Sequence, residues 1–426
     1  MRFLFNFTHV KKNRIMLAVD SYIEHFVRIW EESPETLPEL KIRYSEEGQV
    51  TRERKFSEFQ EKVKRFQSKK EKVRVLKDRD PGHAFFPVFR DFLENVFDFE
   101  ADHLEIILSD DFKSVSKDFF FKARTFGPEL SPENIYQGIR NVWIMNGLQL
   151  MMGLPVEITP SVFSYSMIYP YSDNLLDEPS VSGKEKQEFS KRFNRRLHGE
   201  NPQPAGHTES QLFRLVGMFE TQFPRNEFPG VYKSLYAIQQ GQTNSLSLIN
   251  CNGLEKSAIR KICFEKGGAS VLADGYLVAG RLTQEQERAL FGYGVYLQLL
   301  DDIQDVKEDT EANTKTMFSC VEGTPDLGAF VNRTIHFGRK AMEELRCFEG
   351  AKTETMLALM NRSIETMIVE SAGLNPDAYS SEYLEKLEKY SPLRFGFIRQ
   401  KRTESKSQRF SLFKKYFDQV PVKATR

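Results

Sequence analysis

The chain has 426 residues, which is enough for two or three domains or for one large domain with an extension. Its 60 acidic and 60 basic residues balance, so no overall positive field points to nucleic acid or to an anionic membrane. The four cysteines form no CxxC pair, and no uninterrupted apolar stretch approaches the roughly 20 residues of a membrane span. The N-terminal MRFLFNF lacks the small-residue cleavage site of a signal peptide. We therefore expect a cytoplasmic protein without an integral membrane segment or a nucleic-acid partner.

The first 80 residues are predicted to form a charged helical extension ahead of a main domain spanning 81–426. RIMLAVDSYIEHFVRIWEE is amphipathic, and its helix is expected to stop near Pro34. Residues 50–80 alternate in charge and contain few apolar positions, which is typical of a solvated helix or pair of helices, or of a surface that binds a partner.

Apolar residues recur at helical spacing from Phe85 onward, and no alternating run predicts a strand, so the fold class is predicted to be all-α. Phe85, Phe89 and Phe92 share a helix face, which indicates either helix packing or an aromatic wall able to stabilise a carbocation. The predicted helices cover 84–108, 131–153, 158–177, 183–197, 209–223, 230–249, 254–279, 283–309, 326–347 and 353–372.

A first aspartate cluster lies in YPYSDNLLDEP. Asp173 and Asp177 are four residues apart, so both carboxylates are expected on one helix face. Pro170 is expected to break or kink the helix just before them. The alternative is an ordinary surface helix whose solvated face is acidic.

Three basic residues are candidates for binding phosphate oxygens. Lys266 opens KGGASVLADGYLVAG, where two glycines are expected to interrupt a helix and let the backbone approach a ligand; alternatively, the lysine only marks a helix end. Arg195 lies in KRFNRRLHG, which also fits a solvated helix face. Arg394 lies in YSPLRFGFIRQKR, and its guanidinium either matches diphosphate geometry or stabilises a helix end.

The second aspartate cluster lies in YLQLLDDIQDVKED. At about 100° per residue, Asp301, Asp305, Gln298 and Gly294 fall within roughly 60° of one another on a helix, whereas Asp302 points about 60–100° away. The glycine and the glutamine are expected to leave room above the carboxylates for a ligand. The alternative is an amphipathic surface helix, but the preceding FGYGVYLQLL is very apolar for one.

Carboxylates held this close repel one another and require a counter-charge. Oxygen ligands without nearby histidine or cysteine favour Mg²⁺ over zinc, and Mg²⁺ commonly binds through a few carboxylates together with substrate phosphate. Two such clusters therefore predict a diphosphate held between them by metal. The sequence contains no HExxH, GxSxG, P-loop, GxGxxG or DxDD motif that would indicate competing chemistry.

DNLLD together with LQLLDDIQD resembles the two aspartate-rich motifs of the class I isoprenoid synthase superfamily. The run from KGGASVLADGYLVAG to LLDDIQDVKED is similar to the stretch that leads into the second motif of the bacterial tetraprenyl-β-curcumene synthase-like large terpene synthases, often grouped with the squalene/phytoene synthase branch. The resemblance covers roughly residues 130–400.

This resemblance implies an antiparallel helical bundle around a central cavity, with the two motifs on facing helices at its mouth. Asp173, Asp177, Asp301 and Asp305 would bind Mg²⁺, with three ions expected, and Asp302 would join them as a close neighbour. Lys266 would neutralise the leaving group, with Arg394, Arg195 and Gln298 as further substrate-binding candidates. The implied substrate is a prenyl diphosphate, and a homodimer is compatible with the fold.

The implied activity is that of a Mg²⁺-dependent terpene synthase, a lyase that ionises a linear prenyl diphosphate and yields a cyclic or rearranged product. The first motif has Asn174 where chain-elongating prenyltransferases carry a second aspartate, and their following RRG is missing. A prenyltransferase that joins two isoprenoid units is the alternative. A non-catalytic helical protein that binds partners through its charged N-terminal segment is a third interpretation.

Overall fold

The computed structural model describes residues 18–67, 82–177, 181–251, 253–320 and 326–405. Within these ranges the chain is helical and contains no β-strand, only one isolated bridge between Ile249 and Thr314. The all-α prediction is therefore confirmed. The start of the chain, residues 68–80 of the charged stretch and the residues that directly follow Asp177 lie outside the described residues.

The chain divides into two compact units. The first comprises Met1–Thr36, Asn134–Gly323 and Phe330–Thr353, and the second comprises Leu37–Glu133, Thr324–Ala329 and Glu354–Arg426. The predicted boundary at residue 80 stays a prediction, although residues on its N-terminal side belong to both units.

The first unit is built largely from nine helices of the described residues. In chain order these are α1 (Val19–Glu31), α6 (Pro132–Met151), α7 (Pro160–Asp177), α8 (Gly183–Leu197), α9 (His207–Gln222), α10 (Pro229–Ser245), α11 (Lys256–Ala279), α12 (Gln284–Gln304) and α14 (Gly328–Glu344), with the short α13 (Val306–Glu311) after α12.

Helix α11 lies at the centre of this unit, and its neighbours run antiparallel to it. Against α12, Gly267 lies opposite Gly294 and Gly268 opposite Phe291, so the numbering falls on one helix as it rises on the other. Against α10, Gly241 lies opposite Lys266. Gly280 ends α11 in the left-handed conformation at φ 72°, and the Thr283 side chain caps α12, which makes the sharp reversal between them.

Helix α1 is part of the core of the first unit. Its Phe26 and Trp30 side chains are fully buried. Phe26 stacks on Phe291 of α12 with ring centroids 6.2 Å apart, and Trp30 meets Phe264 of α11 edge-on at 6.3 Å. A helix predicted as an extension therefore packs directly on the two helices that carry Lys266 and the second aspartate cluster.

The second unit holds the remaining helices. These are α2 (Glu46–Gln67), α3 (Gly82–Phe97), α4 (Ala101–Ile107), α5 (Asp110–Phe126), α15 (Thr353–Leu374), α16 (Ser381–Glu388) and α17 (Phe395–Ser405). Phe92 of α3 stacks on Phe59 of α2 at 3.9 Å, and Phe89 stacks on Phe92. The phenylalanine stripe of α3 thus serves helix packing, which was one of its two interpretations.

The helix predicted over 84–108 is wrong, because the chain turns between α3 and α4. Asp98 adopts a positive φ of 53°, a conformation that a helix interior does not allow. Its carboxylate accepts hydrogen bonds from Arg52 Nη2 at 2.7 Å and from the Tyr44 hydroxyl at 2.8 Å. These bonds hold a local conformation that helical periodicity does not reveal.

Candidate functional site

The second aspartate cluster occupies the last turn of α12 and the turn after it. The helix ends at Gln304, and Asp305 begins the turn into α13, so the helix predicted to run unbroken over 283–309 is wrong at this point. The Asp305 amide still donates to the Asp301 carbonyl at 2.9 Å, as in a continuing helix. Asp301 and Asp305 are both exposed.

Asp302 points the other way, as its helical angle predicts, and is only 2% exposed. The Gln298 amide donates to its Oδ1 at 2.7 Å, while its Oδ2 has no hydrogen-bond partner within the described residues. Burial raises the pKa of Asp302 to about 7, with Asp301 acting in the same direction, while the Gln298 hydrogen bond and the Lys266 charge oppose the rise. Gln298, predicted to bind substrate, thus holds a neighbouring carboxyl.

Asp309 is a further member of the cluster that the sequence reasoning missed. It lies in α13, four residues after Asp305, and is partly buried. Burial and the Asp305 carboxylate raise the pKa of Asp309 to about 6, and the Lys266 charge acts against them. The four-residue spacing from Asp301 through Asp305 to Asp309 is visible in the sequence and could have indicated that Asp309 belongs to the same cluster.

The two glycines after Lys266 do not interrupt a helix, so this prediction is wrong. Helix α11 runs unbroken from Lys256 to Ala279. A Cβ on Gly267 would lie 2.4 Å from Gln298 Cβ, and one on Gly294 would lie 2.3 Å from the Gly267 carbonyl oxygen. The glycines let two helix backbones touch, and Gly294 faces α11 instead of leaving room for a ligand. The same contact holds Lys266 beside the end of α12.

The first cluster lies on the last turns of α7. This helix continues through Pro170, so of the predicted break or kink the break is wrong, and the kink stays a prediction. The positions of Asp173 and Asp177 on the helix are described, and their side chains lie outside the described residues.

Two side-chain contacts set the register between α7 and α11. The Ser161 hydroxyl donates to the Leu277 carbonyl at 2.6 Å, and Tyr165 shares a hydrogen bond with Ser270. Asp173 lies twelve residues after Ser161 and eight after Tyr165. The two helices run antiparallel with the same rise per residue. Asp173 therefore lies at the level reached by counting the same number of residues back from Leu277 or Ser270, which is positions 262–265 of α11.

The glycine contact sets the register on the other side of α11. Asp301 lies seven residues after Gly294 and three after Gln298, both of which face Gly267. Because α12 runs antiparallel to α11, counting seven or three residues back from Gly267 gives the level of Asp301, which is positions 260–264 of α11. By this count, the backbone positions of the two aspartate clusters fall at about the same level along α11, close to the level of Lys266.

The predicted arginines have acidic partners. Arg195 Nε donates to Glu200 at 2.6 Å on the surface of the first unit. Arg394 belongs to the second unit, where its guanidinium binds Glu53 through Nε at 2.9 Å and Nη2 at 2.6 Å. Substrate binding by either arginine stays a prediction.

The donor set of the candidate site fits Mg²⁺. Asp301 and Asp305 present carboxylates at an exposed helix end, and Mg²⁺ prefers such oxygen ligands. Burial is the largest cause of the raised pKa values of Asp302 and Asp309, and neighbouring carboxylates act in the same direction. A bound dication would stabilise the ionised carboxylates of this cluster.

A different acidic group, not predicted from the sequence, lies in the second unit. Glu100, Asp102 and His103 bring ligand atoms within 4.8 Å of one another. Glu100 and His103 form a reciprocal cap at the start of α4, and Lys41 pairs with Glu100. Helix capping accounts for this arrangement.

A second buried carboxyl lies deeper in the first unit. Asp274 is 1% exposed on α11, and its Oδ1 accepts a long hydrogen bond of 3.4 Å from the Asn141 amide. Burial raises the pKa of Asp274 to about 8, and the Asn141 hydrogen bond opposes the rise only partly. In the sequence, this buried carboxyl is visible only as a lone aspartate inside the apolar run ASVLADGYLVAG.

This carboxyl makes the stability of the protein depend on pH. Between its ordinary pKa of 3.8 and about 8, the folded protein keeps a proton that the unfolded chain has released, so the free energy of unfolding falls as pH rises through this window. At about 1.4 kcal/mol per pKa unit, the loss amounts to several kcal/mol.

Urea unfolding at pH 5 and pH 8 should show a smaller drop in the free energy of unfolding for Asp274→Asn than for the wild type. Asp110→Asn, at a fully exposed carboxylate, should retain the wild-type drop, and an equal drop in both variants would contradict this assignment.

No helix within the described ranges combines the length and the apolar character that crossing a bilayer requires.

Comparisons with known proteins give weak similarities. No protein-family model matches the chain, and no curated protein matches it. Among solved structures, the chain is similar to geranylgeranyl pyrophosphate synthetase from Pyrococcus horikoshii Ot3, at 16% identity and a TM-score of 0.33, over 69% of this chain and 99% of that one. It is also similar to a decaprenyl diphosphate synthase from Rhodobacter capsulatus, at 11% identity and a TM-score of 0.32, over 70% of this chain and 98% of that one. Neither similarity by itself assigns an activity to this chain.

Proposed function

We propose that this chain is a Mg²⁺-dependent enzyme that ionises a linear prenyl diphosphate and releases diphosphate. The observation that supports the proposal is the helix register, from which both aspartate clusters are counted to about the level of Lys266 along α11. Carboxylates on two helices together with a lysine at this level suit a diphosphate held by metal.

Each group has a defined part in this proposal. Asp173, Asp177, Asp301 and Asp305 hold the Mg²⁺ ions, which supply positive charge to the departing diphosphate. Lys266 adds a fixed positive charge beside them. Gln298 holds Asp302, whose buried carboxyl supports the end of α12. Direct metal binding by Asp302 and substrate binding by Gln298 stay predictions. The number of ions, the roles of the arginines, a cytoplasmic location and a homodimer stay predictions.

We further propose that the product is a cyclic or rearranged terpene. Asn174 and the missing RRG favour ionisation of one substrate over addition of a second isoprenoid unit. An apolar interior supports this outcome, because it keeps water from a carbocation. The aromatic side chains Tyr293, Tyr296 and Phe291 are buried, and Phe291 and Tyr296 pack closely on Gly268 and Gly338 of neighbouring helices.

The test is to incubate the purified chain with linear C10 to C25 prenyl diphosphates and Mg²⁺, with and without isopentenyl diphosphate. We expect diphosphate release and a hydrocarbon or alcohol from a single substrate, without a need for isopentenyl diphosphate. Gas chromatography with mass spectrometry identifies the product, and a phosphate-release assay follows the diphosphate.

The other outcomes distinguish the alternatives. Longer diphosphates formed only with isopentenyl diphosphate would identify a prenyltransferase. A folded protein that neither turns over any substrate nor binds Mg²⁺ with inorganic diphosphate in calorimetry would favour the non-catalytic interpretation.

A further inference from the structure

A polar cluster lies inside the first unit, well below the aspartates. The Asn141 amide of α6 donates to Asp274 Oδ1 at 3.4 Å and to the Ser166 hydroxyl of α7 at 3.3 Å. Asp274 lies eight residues after Lys266 on α11, or about 12 Å along the helix axis. A carboxyl at this depth costs stability that an apolar side chain would not, so packing does not explain its presence.

Two tyrosines lie within electrostatic range of the Asp274 carboxyl. For Tyr165 of α7 and Tyr293 of α12, the charge of Asp274 adds to the rise that burial causes in the pKa of each hydroxyl. Both tyrosines are therefore neutral at physiological pH. The Asn141 amide that donates to the carboxyl is also uncharged, and Lys266 is a charged group farther along α11.

Partly accessible side chains lie on α11 and α7 between the aspartate level and this cluster. On α11, Ile262, Lys266 and Ser270 recur every four residues with intermediate exposure, whereas Ala269 and Val271 are buried. Asp274 is the next position in this series and is itself buried. On α7, Tyr165, Ile168 and Ser172 are likewise partly accessible, and Tyr165 bonds Ser270. The last partly accessible position of this α11 series, Ser270, therefore lies about one turn from Asp274.

We propose that Asp274 is the general base that ends the reaction, by removing a proton from the carbon next to the carbocation. The C–H bond breaks, its electron pair becomes the new C=C bond, and the proton passes to an Asp274 carboxylate oxygen. Diphosphate has already taken away the electrons of the C–O bond, so the product leaves as a neutral alkene, and the acid returns its proton to water before the next turnover. This inference rests on the proposed function.

The surroundings suit such a base. In a region of low dielectric constant, an ionised carboxylate attracts a carbocation strongly. A base whose pKa lies near the working pH is available in its ionised form and still accepts a proton readily. Asn141 keeps the carboxyl oriented.

The first measurement compares Asp274→Asn with the wild type in the full chain. We expect alkene formation to fall by about 100-fold or more, with alcohol replacing part of the alkene as water intercepts the cation. The wild-type rate of alkene formation should rise with pH up to about 8, and this rise should be absent in the variant. Ser234→Ala removes another buried hydroxyl, which donates to the Val231 carbonyl, and should leave rate and products unchanged.

The second measurement needs no turnover. A tertiary amine that carries a prenyl chain mimics the carbocation, and calorimetry gives its affinity in the presence of Mg²⁺ and inorganic diphosphate. We expect Asp274→Asn to weaken amine binding at least about 10-fold, while the affinity for inorganic diphosphate stays the same.

These measurements separate the two proposals. An Asp274→Asn enzyme that forms the same alkene at more than half the wild-type rate would overturn the assignment of Asp274 while leaving the proposed function intact. Amine binding that does not depend on Asp274 would overturn it as well. Asp274-dependent amine binding in a wild-type protein that releases no diphosphate would support the cation site and contradict the proposed function.

Discussion

Replacing Asp301 or Asp305 by alanine is expected to reduce diphosphate release by more than about 100-fold, because each change removes a carboxylate that binds metal directly. Supporting residues around metal ligands are typically worth about 10–100-fold, so direct ligands should exceed that range. Steady-state kinetics at several Mg²⁺ concentrations measures the effect. The corresponding changes at Asp173 and Asp177 should behave in the same way, and Asp→Glu versions should require more Mg²⁺.

Two variants make this result interpretable. Asp302→Asn keeps the shape of a buried side chain and should cost only about 10–100-fold, because Asp302 acts through its neighbours. Asp110→Asn removes a fully exposed carboxylate and should leave the rate unchanged. Near-normal turnover in both Asp301→Ala and Asp177→Ala would show that metal does not hold diphosphate at this site.

Gly294→Ala is expected to destabilise the first unit by at least about 1–3 kcal/mol, the usual cost of overpacking a core. The new Cβ would lie 2.3 Å from the Gly267 carbonyl oxygen and 3.0 Å from Gly268 Cα. Backbone atoms cannot rotate away as a side chain can, so α11 and α12 must separate. Urea unfolding followed by circular dichroism measures the loss. Turnover should also fall, because Lys266 shifts relative to the end of α12.

Gly217→Ala is the matched control, since Gly217 also lies inside a helix of the first unit. Its new Cβ would meet only the Arg196 guanidinium at 3.8 Å, an ordinary contact. Alanine is a better helix former than glycine by roughly 0.5–1 kcal/mol, so this variant should be as stable as the wild type or more stable. If both glycine variants unfold at the same urea concentration as the wild type, close helix contact does not determine the position of Lys266.

The helices were largely predictable, because a helix that buries one face needs apolar residues at helical spacing, and this spacing is visible in the sequence. Helices such as α8 and α11 begin and end within two residues of their predicted limits. The breaks at Asp98 and Asp305 were not predictable in this way, because turns there depend on hydrogen bonds and on local geometry instead of periodicity. Helices α16 and α17 were missed because they are short, whereas α5 was missed although Val115, Phe119 and Ala123 recur at helical spacing in it.

The exposure of the aspartates in the second cluster was predictable from the sequence, whereas the role of the glycines and the buried Asp274 were not. The helical angle separated buried Asp302 from exposed Asp301 and Asp305. The glycines beside Lys266 were assigned to a ligand, because a sequence does not reveal which neighbour approaches a bare backbone. Asp274 was overlooked because a single carboxyl in an apolar run has no motif, and its significance comes from Asn141 and the tyrosines that other helices bring to it.

The position of α1 has a consequence for synthesis on the ribosome. Phe26 and Trp30 leave the ribosome well before their partners, because Phe264, Phe291 and Phe337, which cover them, follow roughly 235–310 residues later. At about 5–20 residues per second, these large aromatic side chains remain without all of their native partners for roughly 12–60 s. Nascent chains of this protein should therefore engage chaperones at α1, and ribosome profiling selective for chaperone-bound chains should show occupancy that ends once residue 337 has left the exit tunnel.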